Sequence, residues 1–149
     1  MTAAGGTRFV SAQNLYSLLE RDVEREVLPA CEHFGLGFLP FFPLASGLLS
    51  GKYRRGAAPP EGTRLAAWGA RGAQALSDAN FDKVEALEVW AKARGHTLLD
   101  LAFAWLLGHE AVSSVIAGAT TPEQVNTNAA TAGWSLTPDE VDEVGELIS

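Results

Sequence analysis

The 149-residue sequence lacks most of the features that mark disulfide-bonded, metal-binding or membrane-spanning proteins. Its one cysteine, Cys31, has no partner for an internal disulfide, and no Cys and His residues have the spacing of a metal site. The longest uncharged stretch, 34–51, is broken by glycines and prolines and is shorter than the about 20 apolar residues that a spanning helix needs. Residues 1–7 have no signal-peptide core. We therefore predict a cytoplasmic protein without a bound metal.

Positive charge is also scarce, because 11 Lys and Arg residues face 18 Asp and Glu residues and leave a net charge of −7. No basic run is present that would neutralise phosphate groups, which argues against nucleic acid and an anionic membrane as partners. The 47% hydrophobic content is typical of a folded chain, and the length suits one domain over 1–149.

Short strand patterns alternate with helical patterns along the chain. Residues 8–13, 37–42 and 112–116 are predicted to be strands. The pattern over 22–33 predicts a helix that ends at Gly35, and Pro29 predicts a kink or a late start in it. This alternation favours an α/β fold with parallel strands.

Capping residues and apolar sequence predict the remaining helices. Ser77 precedes a helical pattern over 78–94, and 97–107 is apolar enough to be buried on most sides. Thr121 and Thr137 are each followed by proline and, at the third helical position, by Gln or Glu, which predicts two capped helices. Residues 53–76, with glycines and prolines, are predicted to be a long loop of functional or mobile character.

Two loops that follow predicted strands have the composition of phosphate-binding turns. Residues 117–122 lead into a capped helix, whose N-terminus favours anions; the alternative is a plain strand-to-helix turn. Residues 43–53 carry two glycines and end near Lys52, a charge suited to a diphosphate. Phe41 either stacks on a planar ring or belongs to the core.

Three segments in order resemble the C-terminal part of an aldo-keto reductase: QNLYSLLERDVE (13–24), FFPLASGLLSGKY (41–53) and IAGATTPEQVNTN (116–128). The resemblance implies a partial (β/α)8 TIM barrel, in which the three parallel strands are the last three, together with their helices. It also implies that NADP(H) binds across the carboxyl-end face of the barrel. NAD(H) stays open, because 118–128 contains no Arg or Lys for a 2′-phosphate.

The resemblance assigns cofactor contacts residue by residue. Gln13 matches the glutamine that binds the nicotinamide carboxamide, and Phe41 the aromatic residue under the nicotinamide ring. The loop around the pyrophosphate is matched by Pro43, Leu44, Ala45, Gly47 and Lys52, and a basic residue that folds over the cofactor by Arg64. Gly118 and Thr120 match the turn near the 2′-phosphate, and Gln124 and Asn128 match residues at the adenosine end.

The family's catalytic Asp, Tyr, Lys and His come from earlier barrel strands, so the resemblance assigns no catalytic residue to this chain. The histidines His33, His96 and His109 are predicted to be surface or capping residues. The implied function is hydride transfer between NADP(H) and a small aldehyde or ketone, with the isolated chain inactive. We expect a truncated product or a partner that supplies the missing strands, by self-association or from another chain. The alternative is a non-catalytic nucleotide-binding or interaction module resembling the reductase-like subunits of potassium channels.

Overall fold

The computed structural model describes residues 6–149, in which a small parallel sheet packs against helices on one face. Strand β1 (Ser11–Leu15) pairs in parallel with β2 (Gly37–Phe41), with Gln13 opposite Leu39 and Leu15 opposite Phe41. On the other side of β2, isolated parallel bridges join Phe38 to Val112 and Phe41 to Ile116. The predicted parallel arrangement is confirmed, and the strand predicted over 112–116 pairs only through these two bridges.

The limits of the first two strands differ from the predicted ones for identifiable reasons. β1 starts three residues later than predicted, at Ser11, because Gly37, its register partner, is the first residue of β2. It runs on to Leu15 because the register with β2 continues to Phe41. β2 ends one residue early, because Phe42 adopts a φ of 55°, which an extended strand does not contain.

The first helix starts late, as Pro29 predicts. A 3-10 turn over Asp22–Arg25 precedes helix α1 (Val27–Phe34), and Pro29 is the third residue of α1. The first amides of a helix have no partner within it, so the missing N–H of proline costs nothing there. Gly35, with a φ of 61°, ends the helix in the left-handed conformation, as predicted.

The segment predicted as a long loop contains two short helices, α2 (Arg64–Ala67) and α3 (Ala70–Ala75). Four longer helices follow: α4 (Asp78–Ala93), α5 (Leu98–Leu107), α6 (Pro122–Ala130) and α7 (Pro138–Leu147). The predicted caps Ser77, Thr121 and Thr137 are all present, and α5 is capped by Thr97, which was not predicted as a cap. None of the described helices is long and apolar enough to cross a membrane.

The core lies between the sheet and α5. Seven of the ten residues of α5 are buried, which confirms the prediction from its apolar sequence. Phe38 and Pro40 of β2 point to this side, whereas Gln13, Leu15, Leu39 and Phe41 line the opposite, more open face. At the centre, Trp105 is 1% exposed and its indole N–H donates to the Val141 carbonyl of α7 at 3.0 Å.

Candidate functional site

The carboxyl ends of the three parallel segments meet at one edge of the sheet. Leu15 is the register partner of Phe41, and Phe41 bridges to Ile116 on its other side. The Tyr16 amide adds a hydrogen bond to the Phe41 carbonyl at 3.3 Å. The three loops that follow these segments therefore begin side by side, which is the position where parallel α/β proteins bind their ligands.

The loop after β2 is a compact turn with an unusual backbone. Phe42, Ala45 and Ser46 have φ values of 55°, 45° and 60°, and Gly47 has 96°. The amide of Ala45 donates to the Phe42 carbonyl at 3.0 Å, and that of Gly47 to the Leu44 carbonyl at 2.7 Å. Three non-glycine residues in the left-handed region are costly, and such backbone strain is concentrated at functional sites.

Lys52 folds back over this turn. A Cβ atom built on Gly47 would lie 2.7 Å from both Cε and Nζ of Lys52, so only glycine leaves room for the lysine in this position. The ammonium also lies 5.3 Å from the centre of the Tyr53 ring. Within residues 6–149, no carboxylate forms an ion pair with Lys52. The result is a positive charge held against the half-buried backbone of the turn.

Arg64 approaches the same edge from helix α2. Its guanidinium carbon lies 5.2 Å from the centre of the Phe42 ring, which in turn contacts Phe41 at a centroid distance of 5.5 Å. In the described part of the chain Arg64 has no ion pair either. The structure thereby links Arg64 to Phe41 through Phe42.

The loop after Ile116 carries the last group of predicted residues, Gly118, Thr120, Gln124 and Asn128. The Gln124 side-chain oxygen accepts hydrogen bonds from the Thr120 amide at 2.8 Å and from the Thr120 hydroxyl at 3.1 Å. In a reciprocal capping box it would accept from the Thr121 amide instead. The Asn128 carbonyl accepts from Thr131 at 2.6 Å. These hydrogen bonds stay within 120–131. What joins this loop to the Lys52 loop is the backbone bridge from Phe41 to Ile116.

A cavity of about 700 Å³ opens beside the carboxyl ends of β1 and β2. Leu15, Phe41 and Phe42 line it from the sheet, and Trp68 and Arg71 from the segment that we expected to be a loop. Sequence reasoning missed both of these residues, because it predicted a loop where the structure has α2 and α3.

A second group that sequence reasoning missed is a half-buried polar cluster behind β1. The Tyr16 hydroxyl lies 2.8 Å from Glu24 Oε1 and 2.9 Å from His109 Nε2, while Arg21 donates to both Glu24 oxygens at 2.8 and 2.9 Å. His109 Nδ1 lies 2.9 Å from the Trp105 carbonyl. His109 therefore caps α5, as expected, and in addition joins this cluster.

The environment shifts the pKa values of this cluster. Burial raises the pKa of Tyr16, and the neighbouring Glu24 carboxylate raises it further. Burial lowers the pKa of His109, against the opposing effects of the Trp105 carbonyl and Glu24. Burial would raise the pKa of Glu24, but the hydrogen bonds from Arg21 and Tyr16 outweigh it and hold that pKa below its usual value.

These shifts predict a loss of stability on acidification. A histidine with a lowered folded-state pKa stabilises the fold above its unfolded value of about 6.5, and this contribution is lost as the pH falls below it. The lowered pKa of Glu24 adds a second loss, below its unfolded value of about 4.3. Melting temperatures from pH 8 to about 2 should therefore be level above pH 7 and fall in two steps. His109→Gln should remove the upper step, and the exposed His33→Gln should leave it; equal profiles for both variants would contradict the assignment.

Comparison with known proteins places these features in a family. The model of the Aldo/keto reductase family matches residues 1–149. An L-glyceraldehyde 3-phosphate reductase of Escherichia coli O157:H7 is 38% identical over 121 residues, covering 78% of this chain and 34% of the relative. A probable voltage-gated potassium channel subunit beta of Oryza sativa subsp. japonica is 38% identical over 138 residues, covering 89% and 42%. An NADH-specific methylglyoxal reductase of Escherichia coli K12 is 32% identical over 127 residues, covering 83% and 37%. The chain thus spans about two fifths or less of the length of these relatives.

Proposed function

Since this chain belongs to the aldo/keto reductase family, whose members are nicotinamide-dependent oxidoreductases, we propose that it supplies the cofactor-binding part of such an enzyme. The reaction is hydride transfer between NADP(H) and an aldehyde or ketone. The observation that carries the proposal is the turn after β2, where Lys52 lies over Gly47 at the edge on which three parallel segments end. The hydride chemistry belongs to the cofactor when it is bound, and the protein holds and orients it.

The diphosphate is assigned to this turn. Its left-handed backbone is of the kind that forms anion-binding concavities, and Lys52 adds a charge at the same place. The chain has a net charge of −7, and arginines such as Arg21, Arg55 and Arg94 are engaged with carboxylates. A lysine held at a strand end without such a partner is therefore well suited to bind a ligand phosphate.

The nicotinamide is assigned to the open face of the sheet beside the turn. Phe41 ends β2 on that face and offers an aromatic surface for the ring, and Gln13 lies on the same face of β1, exposed, with an amide for the carboxamide. Pro43, Leu44 and Ala45 carry the chain from this face into the turn that binds the phosphates.

The adenosine half is assigned to the loop after Ile116 and the start of α6. Gly118 and Thr120 form the turn, and Gln124 and Asn128 lie four positions apart on one face of α6. The residues from 118 to 128 contain no Lys or Arg that would bind a 2′-phosphate, and Arg64, which lies against the Phe42 ring, is assigned to the basic residue that folds over the cofactor. NADP(H) is proposed as the cofactor from the family, with NAD(H) as the alternative.

We assign the proton donor to no residue of this chain. Tyr16 is fully buried and its hydroxyl is held by Glu24 and His109, while Tyr53 is 3% exposed beneath the turn. Neither hydroxyl is open to a bound carbonyl compound. A general acid must come within hydrogen-bond distance of the oxygen it protonates, so it has to be supplied from elsewhere in the complete barrel.

Calorimetric titration of the chain with NADPH tests the proposal. Lys52→Gln should weaken NADPH binding about tenfold, or about 1.4 kcal/mol, because it removes the positive charge that binds the diphosphate. Lys83→Gln on α4, which likewise removes a lysine without an ion pair among the described residues, should leave the affinity unchanged. Absence of NADPH binding to the wild-type chain, or equal affinities for the two variants, would refute the assignment.

A second candidate function is a non-catalytic nucleotide-binding or interaction module. It is favoured by the 38% identity over 138 residues to a protein named as a probable voltage-gated potassium channel subunit beta. The two proposals share the cofactor site described above. They differ in whether a carbonyl compound is reduced at that site.

A further inference from the structure

The cavity beside the turn carries an inference that rests on the proposed function and extends it to the substrate. We propose that this cavity binds the carbonyl compound, that the preferred compound has a flat apolar body with one anionic group, and that Arg71 recognises that group. Arg71 is thus assigned as a specificity-determining residue.

The sheet side of the cavity is apolar and partly aromatic. Its lining from the strand ends and the turn consists of Leu15, Phe41, Phe42 and Leu48. Trp68, which directly follows α2, completes this apolar lining. Its volume of about 700 Å³ is within the range of small-molecule sites, which are mainly apolar with a few polar groups. Phe41 is also the residue assigned to the nicotinamide, so a compound in this cavity lies next to the place where hydride transfer occurs.

The opposite side of the cavity is polar, and only some of its polar side chains lack a hydrogen-bond partner among the described residues. Ser77 and Asn80 line this side but already serve as helix-capping groups, since Ser77 accepts from the Asn80 amide at 3.4 Å and the Asn80 side chain donates to the Ala75 carbonyl at 2.9 Å. Gln74 and Arg71 complete it, and both side chains make no hydrogen bond or ion pair to any residue of 6–149. The donors that remain for a ligand are a guanidinium and an amide.

Arg71 is exposed to solvent, and its guanidinium packs against an aromatic side chain. Its guanidinium carbon lies 4.8 Å from the centre of the Trp68 ring, which fixes the planar group beside an aromatic wall of the cavity. A planar guanidinium binds carboxylate and phosphate through two parallel hydrogen bonds. The cavity therefore pairs an apolar body with an anion-binding group at one side.

Glu20 sets the orientation of the ligand. It lines the same cavity from the turn after β1, and among the described residues its side chain has no cationic partner. A negative group placed next to Glu20 is repelled, so the anionic end is directed to Arg71 and the uncharged end to the strand ends. A compound with two anionic ends is disfavoured for the same reason.

The experiment uses two alcohols of the same shape and different charge, 4-(hydroxymethyl)benzoate and 4-(hydroxymethyl)benzamide, titrated into the chain with NADP⁺ present. Alcohols avoid the imines that aldehydes form with lysines. We expect the benzoate to bind at least tenfold more tightly than the benzamide. Arg71→Gln should abolish this difference, and Arg71→Glu should reverse it. The matched control is Arg25→Gln, which removes an exposed arginine outside the cavity and should change nothing.

NADP⁺ affinity, measured on the same proteins, separates this inference from the proposed function. If Arg71→Gln preserves NADP⁺ binding and loses the preference for the benzoate, the inference holds. If it weakens NADP⁺ binding instead, the cavity belongs to the cofactor and the inference fails while the proposed function stands. Equal binding of both alcohols to the wild-type chain overturns the inference as well, and melting curves of every variant show that the fold is intact.

Discussion

Trp105→Ala is expected to unfold a large fraction of the protein at temperatures that the wild-type chain tolerates. Trp105 is 1% exposed, contacts the Tyr16 and His109 rings at 5.2 and 4.6 Å, and donates to the Val141 carbonyl of α7. Replacing a buried tryptophan by alanine typically costs about 3–5 kcal/mol, a large share of the about 5–15 kcal/mol that stabilises a domain. Circular dichroism should show a melting temperature lowered by about 10 °C or more.

Two variants separate the contributions to this loss. Trp105→Phe keeps most of the ring volume and removes the indole N–H, so its loss should be about half as large or less. Trp134→Ala makes the same chemical change at a half-buried tryptophan and should cost clearly less than Trp105→Ala. A melting temperature for Trp105→Ala equal to that of the wild-type chain would contradict the central position of this residue in the core.

Gly47→Ala is expected to weaken NADPH binding about a hundredfold, or about 2.7 kcal/mol, the largest effect of any single methyl group in the site. The new Cβ would lie 2.7 Å from Cε and Nζ of Lys52 and so displaces the lysine from the turn. It also strains the backbone, because a φ of 96° suits glycine only, and shifts the amides assigned to the diphosphate. Calorimetry measures the affinity directly.

Gly51→Ala is the matched control, because Gly51 also has a positive φ, of 75°, but open space where a Cβ would be added. It should lower the melting temperature by a similar amount and preserve NADPH affinity. The double variant Gly47→Ala with Lys52→Gln should lose less than the sum of the two single changes, since both act on the lysine. Additive losses would mean that Gly47 acts on the cofactor independently of Lys52.

Local sequence signals predicted much of the fold. The apolar run of α5, the proline near the start of α1 and the threonine caps of α6 and α7 each act within one element, so they can be recognised from neighbouring residues. The second strand was also placed correctly apart from its last residue, Phe42. There the backbone turns for a reason that lies in the following loop, which strand patterns do not describe.

The features that sequence reasoning missed depend on residues far apart in the chain. Tyr16 and His109 are 93 positions apart and meet only where the turn after β1 reaches the end of α5, so neither residue shows its role in its own neighbourhood. The short helices α2 and α3 were missed for another reason. The glycines and prolines before them favoured a loop. The two helices pack so closely that a Cβ added to Gly72 would overlap the Leu65 backbone.

The cofactor site was proposed from family resemblance and not from local chemistry alone, and the structure adds the parts that resemblance could not supply. It shows why residue 47 is glycine, by placing Lys52 over it, and it links Arg64 to Phe41 through the Phe42 ring. The positions of Gln124 and Asn128 relative to Lys52 stay predictions.

The left-handed turn after β2 has a consequence for the thermodynamics of binding. Its shape is fixed by its own hydrogen bonds, including those from Ala45 to Phe42, from Gly47 to Leu44 and from Ser50 to Gly47, without any ligand. The segment already loses its conformational entropy when the chain folds, so the dinucleotide proposed to bind here would cause little further loss. Such preorganisation makes association a docking step onto a rigid surface, so that changes in affinity appear mainly in the rate at which the ligand leaves.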